Sequence, residues 1–205
     1  MEFQSTFFPS FSKLYTLKSL YLSNGYLSYT NKESANGHYI QHLSGKHYEN
    51  DKLHYLPNSK WRNSILWDLS PCDDEEGEYF LLTNKGLDFG NLAVSEEKSN
   101  SGFYLEHLFS KGYDEKKNEY EKGGKMRDYV LWKIVEKEDG GHFLINKRYE
   151  KNGEGFLSFT ETKAASGFYG QTCSGEKFAK EKMFYEEGGK WRKSILWEIK
   201  EAEKK

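Results

Sequence analysis

Long apolar runs are missing from this 205-residue chain. No stretch approaches the roughly 18 consecutive apolar residues that a membrane-spanning helix requires, so no span is expected. Cysteine is scarce: Cys72 and Cys173 are the whole complement, which excludes a disulfide framework and fits a reducing, cytoplasmic compartment. The opening MEFQSTFFPSFSKLY lacks a basic head followed by an apolar core, so no secretory signal is read there; secretion is the alternative where a signal peptide has been removed. Charge of one sign is also lacking. With 30 basic and 32 acidic residues the net charge is −2, and no electrostatic case arises for nucleic acid or an anionic membrane as partner. The acidic run Asp73, Asp74, Glu75 and Glu76, and the basic pairs Lys116-Lys117 and Lys204-Lys205, read as solvated loops and a solvated end. Catalytic templates are absent too. The chain has no C-x-x-C, H-E-x-x-H, G-x-S-x-G, phosphate-loop or dinucleotide fingerprint, and its Gly-Gly pairs at 123–124, 140–141 and 188–189 lack phosphate-loop spacing. No cofactor and no metal are expected.

What is present is an internal repeat. Trp67, Trp132 and Trp197 lie 65 residues apart, each in the phrase LW-x-[IL], and a fixed interval of this kind is the signature of a chain built from copies of one unit. The register extends leftwards without a gap. Lys60-Trp61-Arg62 aligns with Lys125-Met126-Arg127 and Lys190-Trp191-Arg192, Tyr55 with Tyr120 and Tyr185, and Gly37-x-Tyr39 with Gly102-x-Tyr104 and Gly167-x-Tyr169. Gly90–Ile134 and Gly155–Ile199 share 18 identities in 45 positions. The repeats run approximately over 10–69, 70–134 and 135–199, and one closed domain over 1–205 is expected, because a unit this short struggles to bury an apolar face alone.

Aromatic residues make up 17% of the chain, with 15 Tyr and 14 Phe, a composition that favours strands. Each unit reads as four short strands, placed in the second at Tyr79–Thr83, Asn91–Ser95, Phe103–Leu108 and Tyr129–Val135. In the last strand of each unit, alternation puts Ile65, Trp67 and Leu69 on one face, then Val130, Trp132 and Ile134, then Ile195, Trp197 and Ile199. Gly25, Gly90 and Gly155 precede the second strands, where tolerance of positive φ suits a tight turn. The segment Tyr113–Tyr120 reads as either a short helical turn or a long polar loop.

Twelve strands in three units close most economically as a six-stranded barrel capped by three hairpins, which removes exposed sheet edges. In its threefold apolar pattern, with G-x-L before the second strand and LW-x-[IL] in the last, the chain resembles the β-trefoil superfamily, which includes the ricin-type lectins and fascin. The all-β β-trefoil is therefore the expected fold, and a three-sheet β-prism is the alternative.

Strand alternation makes the three repeated tryptophans core residues. Trp61 and Trp191, matched by Met126, read either as packing plugs or as aromatic shelves for a ligand. Arg62, Arg127 and Arg192 beside them either hold the neighbouring loop or contact ligand. His42 and His107 are equivalent, with Thr172 as third member, and lie on the face opposite Leu43, Leu108 and Cys173; hydrogen bonding to adjacent loops competes there with ligand binding. Cys173 reads as a small buried hydrophobe in place of a leucine.

The candidate ligand-binding set is thus Trp61, Arg62, Arg127, Trp191, Arg192, His42 and His107. A non-catalytic recognition module is the leading class, and the resemblance implies carbohydrate as its ligand, with up to three related sites. A protein-binding scaffold, cytoskeletal or inhibitory, is the alternative, and an enzyme with one asymmetric site built from loops is the second alternative. The partner is accordingly a glycan or a protein, with oligomeric state left open.

Overall fold

Strands form where the alternation and the β-branched and aromatic residues are densest. The computed structural model describes residues 13–22, 25–72, 78–87 and 90–202; the acidic run at 73–76, the Lys204-Lys205 end and residues 1–12 of the opening segment lie outside them. Twelve strands run in order: β1 Leu14–Ser19, β2 Tyr26–Glu33, β3 Gly37–Leu43, β4 Trp67–Pro71, β5 Tyr79–Asn84, β6 Leu92–Ser99, β7 Gly102–Leu108, β8 Leu131–Glu136, β9 His142–Asn146, β10 Phe156–Ala164, β11 Gly167–Cys173 and β12 Trp197–Glu201. Every second side chain of β1 is buried, as a strand with one face inward requires.

The pairing closes on itself twice. Strands β1, β4, β5, β8, β9 and β12 each pair antiparallel with the next, and β12 returns to β1, giving a six-stranded barrel. The remaining strands form three hairpins, β2–β3, β6–β7 and β10–β11. Their second strands pair with one another in a triangle, β3 with β7, β7 with β11 and β11 with β3. This is the β-trefoil arrangement, and not the three separate sheets of a prism. No helix among the described residues is long and apolar enough to cross a membrane.

One hydrogen bond repeats at the centre of each unit. The indole N–H of Trp67, Trp132 and Trp197 donates to the carbonyls of Leu27, Leu92 and Leu157 at 3.1, 3.0 and 3.0 Å. All three indoles are 0% exposed, so the donor needs that partner. The bond ties a barrel strand to the first strand of a capping hairpin.

A second set of bonds runs between units. Gln41 Oε1 accepts the amide of Ser166 at 3.1 Å. Gln171 Oε1 accepts the Ser99 hydroxyl at 2.7 Å and the Ser101 amide at 3.4 Å. At the equivalent place Glu106 accepts the Ser34 hydroxyl at 2.7 Å, the Asn36 amide at 3.4 Å and the Asn36 side chain at 2.9 Å. Burial raises the Glu106 carboxyl pKa against the opposing pull of those donors.

Several local expectations need correction. Ile65 and Ile195 belong to 3-10 turns, Arg62–Ile65 and Arg192–Ile195, which deliver the chain to β4 and β12. Each isoleucine packs in a satellite cluster apart from Trp67 and Trp197. Val130 likewise precedes β8, at the end of the turn Arg127–Tyr129. Tyr113–Tyr120 is helical: α2 spans Lys111–Tyr120, with Ser110 Oγ accepting the Tyr113 amide at 3.2 Å as its cap. Shorter helices α1 Gly45–Asp51 and α4 Gly175–Glu181 fill the same place in the other units, and α3 Lys147–Glu150 follows β9. Of the three glycines before the second strands, Gly155 has positive φ, at 92°. Gly90 serves a different need: a Cβ there would fall 2.3 Å from the His107 ring.

Replacing Trp132 by Phe keeps an aromatic in the core but strands the Leu92 carbonyl. Loss of about 1–3 kcal/mol of unfolding free energy is expected, read from urea denaturation. A change within error would show that the indole bond is dispensable.

Candidate functional site

One contact of the three arginines repeats in every unit. Arg62, Arg127 and Arg192 each donate through Nη1 to the carbonyl of the tyrosine seven residues earlier, Tyr55, Tyr120 and Tyr185, at 3.3, 3.3 and 3.5 Å. Each bond folds the helical segment back onto the entry of the last strand. The remaining guanidinium nitrogens diverge. Arg192 makes a fork to Asp139, at 2.7 and 3.1 Å, whose carboxyl is held below the usual range by that hydrogen bond. Arg127 Nη2 lies 3.5 Å from Cys72 Sγ.

The aromatic positions beside them differ in environment. Met126 is buried at 6% exposure within the central core. Trp61 and Trp191 are half-buried. Trp61 packs on His54 and Tyr55, with ring centroids at 4.7 and 5.6 Å. Trp191 packs on Phe184 and Tyr185 at 4.9 and 5.4 Å, and the Lys190 ammonium stands 4.2 Å from its ring centre.

His42 and His107 lie on the face opposite Leu43 and Leu108, as alternation predicts, and that face is buried as well. Both are 0% exposed. His42 lies 4.9 Å from the Trp197 ring and 5.2 Å from Phe159; His107 lies 5.9 Å from Tyr29 and 6.4 Å from Trp67. The histidine face therefore looks into the aromatic interior. The opposite face of the strand packs under the helical segments: Leu43 on Tyr48, Tyr55 and Ile65, and Cys173 on Phe178, Tyr185 and Ile195. Burial lowers the pKa of both histidines to about 3, outweighing small backbone contributions from Ser158 and Gly90. Burial pushes the Cys173 thiol up to about 12, which makes it a poor nucleophile. Among the described residues no group of three or more His, Cys, Asp or Glu could hold a metal ion.

Trp191 opens onto a cavity. A pocket of about 240 Å³ lies in the third unit, where β10 and β11 meet α4, the turn before Gly102 and the segment after β1. Its apolar wall is Tyr21, Phe159, Phe168 and Trp191. Tyr21 and Phe159 are 5.5 Å apart, and Phe159 and Phe168 6.1 Å; Tyr21 is 50% exposed. Facing them is the Gln171 amide, fixed by the bonds to Ser99 and Ser101 and by donation from Nε2 to the Phe159 carbonyl at 2.9 Å. Glu161, Glu181 and Lys177 add charge to the lining. At the bottom Tyr185 is buried, and burial, then Cys173, raises its hydroxyl pKa.

The other units are built differently at the same register. Tyr29 replaces Phe159, and its ring and hydroxyl fill the space above Gly86, within 2.9 and 3.0 Å of where a Cβ would stand; Gly86 is the counterpart of Tyr21. In the second unit Val94 and the buried Met126 take the places of Phe159 and Trp191. The pocket residues Tyr21, Phe159, Gln171, Glu161 and Glu181 were not among the sequence candidates. The signal for them was the unlike residues at equivalent positions, Phe159 against Tyr29 and Val94, and Tyr21 against Gly86.

No protein-family profile matches the chain, and no curated protein matches it. Among solved structures it is similar to the designed threefold-symmetric protein ThreeFoil, at 16% identity and TM-score 0.54, over 91% of this chain and 96% of that one. It is similar to the BEL β-trefoil at 10% identity and TM-score 0.53, over 97% and 99% of the two chains. A Polyporus squamosus lectin aligns at 14% identity and TM-score 0.50, over 94% of this chain and 50% of the lectin. At these identities the likeness concerns fold, and the fold is a β-trefoil.

The buried histidines make stability depend on pH. Their folded pKa lies below the unfolded value of 6.5, so the unfolded chain takes up protons first. Their contribution is complete above pH 6.5 and declines as pH falls towards 3. Between pH 6.5 and about 5, before most carboxylates titrate, each histidine should remove on the order of 1 kcal/mol per pH unit. Urea unfolding of the wild type and of a His42→Thr/His107→Thr variant measures this; equal slopes would refute it. Thr172 already occupies the third equivalent position.

Proposed function

We propose that this β-trefoil is a non-catalytic recognition module whose ligand is a carbohydrate, bound in the third-unit pocket. The observation that carries this reading is the pairing of an aromatic wall with a fixed amide and two carboxylates around one 240 Å³ cavity. The C–H face of a pyranose ring stacks on Trp191 or Phe159, while its hydroxyls reach Gln171, Glu161 and Glu181. A concave, largely apolar site with a few oriented polar groups is the usual form of a small-ligand pocket. The Polyporus squamosus lectin, half of which aligns with this chain, is bound to Neu5Acα2-6Galβ1-4GlcNAc in its structure.

In this reading Trp191 is the principal platform. Trp61 with Arg62 forms a lesser counterpart in the first unit. Arg127 and Arg192 position the surrounding loops, and His42 and His107 support the aromatic walls from within. A second reading, a protein-binding scaffold, draws on the exposed apolar side chains of the helical segments. Leu53 and Met183, at equivalent positions, are each 66% exposed, and Leu56 is 51% exposed.

A glycan array followed by titration of the best ligand separates the two. Trp191→Ala should weaken binding about ten-fold, and Trp61→Ala less than about two-fold. Glu161→Ala, at an exposed position, should lower affinity without altering the unfolding curve. Absence of glycan binding by the wild type would overturn the carbohydrate reading. Binding retained in both tryptophan variants would place the site elsewhere.

A further inference from the structure

A second cavity, sharing no residue with the Trp191 pocket, lies where the three hairpins meet. It measures about 80 Å³ and is lined by Lys32, Tyr39, Glu97, Tyr104, Thr162 and Tyr169. These are two sets of threefold-equivalent positions. The tyrosines form a symmetric floor: their ring centroids are 5.8, 5.7 and 5.8 Å apart, and every pair meets edge to face. The other three positions form an asymmetric rim of one ammonium, one carboxylate and one hydroxyl.

The rim is placed by a repeated backbone device. Strand pairing in each hairpin shifts at the same point, between Tyr29 and Glu33, Val94 and Lys98, and Phe159 and Lys163. Inside each bulge a buried hydroxyl holds the residue two further on. Thr30 Oγ1 accepts the Lys32 amide and donates to the Lys32 carbonyl, both at 3.1 Å. Ser95 does the same for Glu97 at 3.2 and 3.4 Å, and Thr160 for Thr162 at 3.1 Å in both bonds. A bulge re-aims the side chains of its strand, and here all three line the axial cavity. The architecture is symmetric and its chemistry is not.

The floor already holds a cation. Lys32 Nζ stands 5.1 Å from the Tyr39 ring centre and 5.5 Å from that of Tyr169, within the range at which a ring quadrupole attracts an ammonium. The Tyr39 hydroxyl donates to Glu97, which fixes a carboxylate beside the same rings. Lys32 is itself exposed, on a flexible stem with a strongly hydrated head. It can therefore swing out at little cost, whereas Tyr39 is buried and the floor stays in place.

We infer that this axial cup binds the organic ammonium group of a ligand, with Lys32 as a tethered occupant that the ligand displaces. A quaternary ammonium, less strongly hydrated than a lysine head, is the favoured form, since aromatic cages select for it. Glu97 supplies the counter-charge. Thr162, at the equivalent position, shows that a short neutral side chain fits the rim.

Tetramethylammonium chloride is the probe, titrated at constant ionic strength against sodium chloride while the tyrosine ring resonances are followed by NMR. Lys32→Thr should bind about ten-fold tighter than wild type because the competitor is gone, and adding Glu97→Gln should reverse that gain. Lys32→Ala provides the same comparison through an independent variant. The inference is overturned if neither lysine variant shows saturable shifts, if both bind no tighter than wild type, or if Glu97→Gln has no effect. None of these outcomes depends on glycan binding.

Discussion

The indole N–H that each repeated tryptophan gives to a leucine carbonyl 40 residues earlier is the bond on which the rest of the structure depends. It satisfies the one polar atom of the largest core side chain. It also fixes how far each hairpin stands from the barrel, because donor and acceptor lie on different parts of the architecture. Three such bonds set one geometry three times. The phrase around the tryptophan recurs for that reason, although no ligand need touch it.

With the frame set in this way, individual positions were free to diverge. Met126 in place of tryptophan, Thr172 in place of histidine and Cys173 in place of leucine are each accommodated by local packing. The two cavities occur where divergence changes polarity or size at the surface. Around the third-unit hairpin Tyr21 and Phe159 stand where Gly86 and Tyr29 stand around the first, so aromatic surface is opened instead of filled. On the axis, Lys32, Glu97 and Thr162 convert three equivalent places into three different charges.

Much of the architecture was legible in the chain. The spacing of the tryptophans set the number of units, and the arithmetic of strands gave the closed barrel and its hairpins. Strand periodicity correctly placed Trp67, Trp132 and Trp197 in the interior. It did not give the surroundings of His42 and His107 because both faces of β3 and β7 are buried at that end. Alternation tells two faces apart but does not say which cluster each one meets. The cavity linings were less legible for a related reason. Repetition singles out Arg62, Arg127 and Arg192, each of which bonds a carbonyl of its own loop. The cavities combine repeated residues with ones that do not repeat, Tyr21, Phe159, Lys32, Glu97 and Thr162 among them, and their convergence depends on contacts between units that no single repeat displays.

The side chains of Gln41, Glu106 and Gln171 each reach a turn in another unit: the first unit grips the third, the second grips the first, and the third grips the second. These grips form a cycle with a direction, and no unit stands at its end. Linear repeat arrays can fray from a terminal copy and lose stability by increments. A cycle has no such copy, so removing any one unit breaks two grips and opens both the barrel and the triangle. The three units can be similar in sequence and yet have no separate existence: the smallest cooperative piece of this molecule is the complete turn.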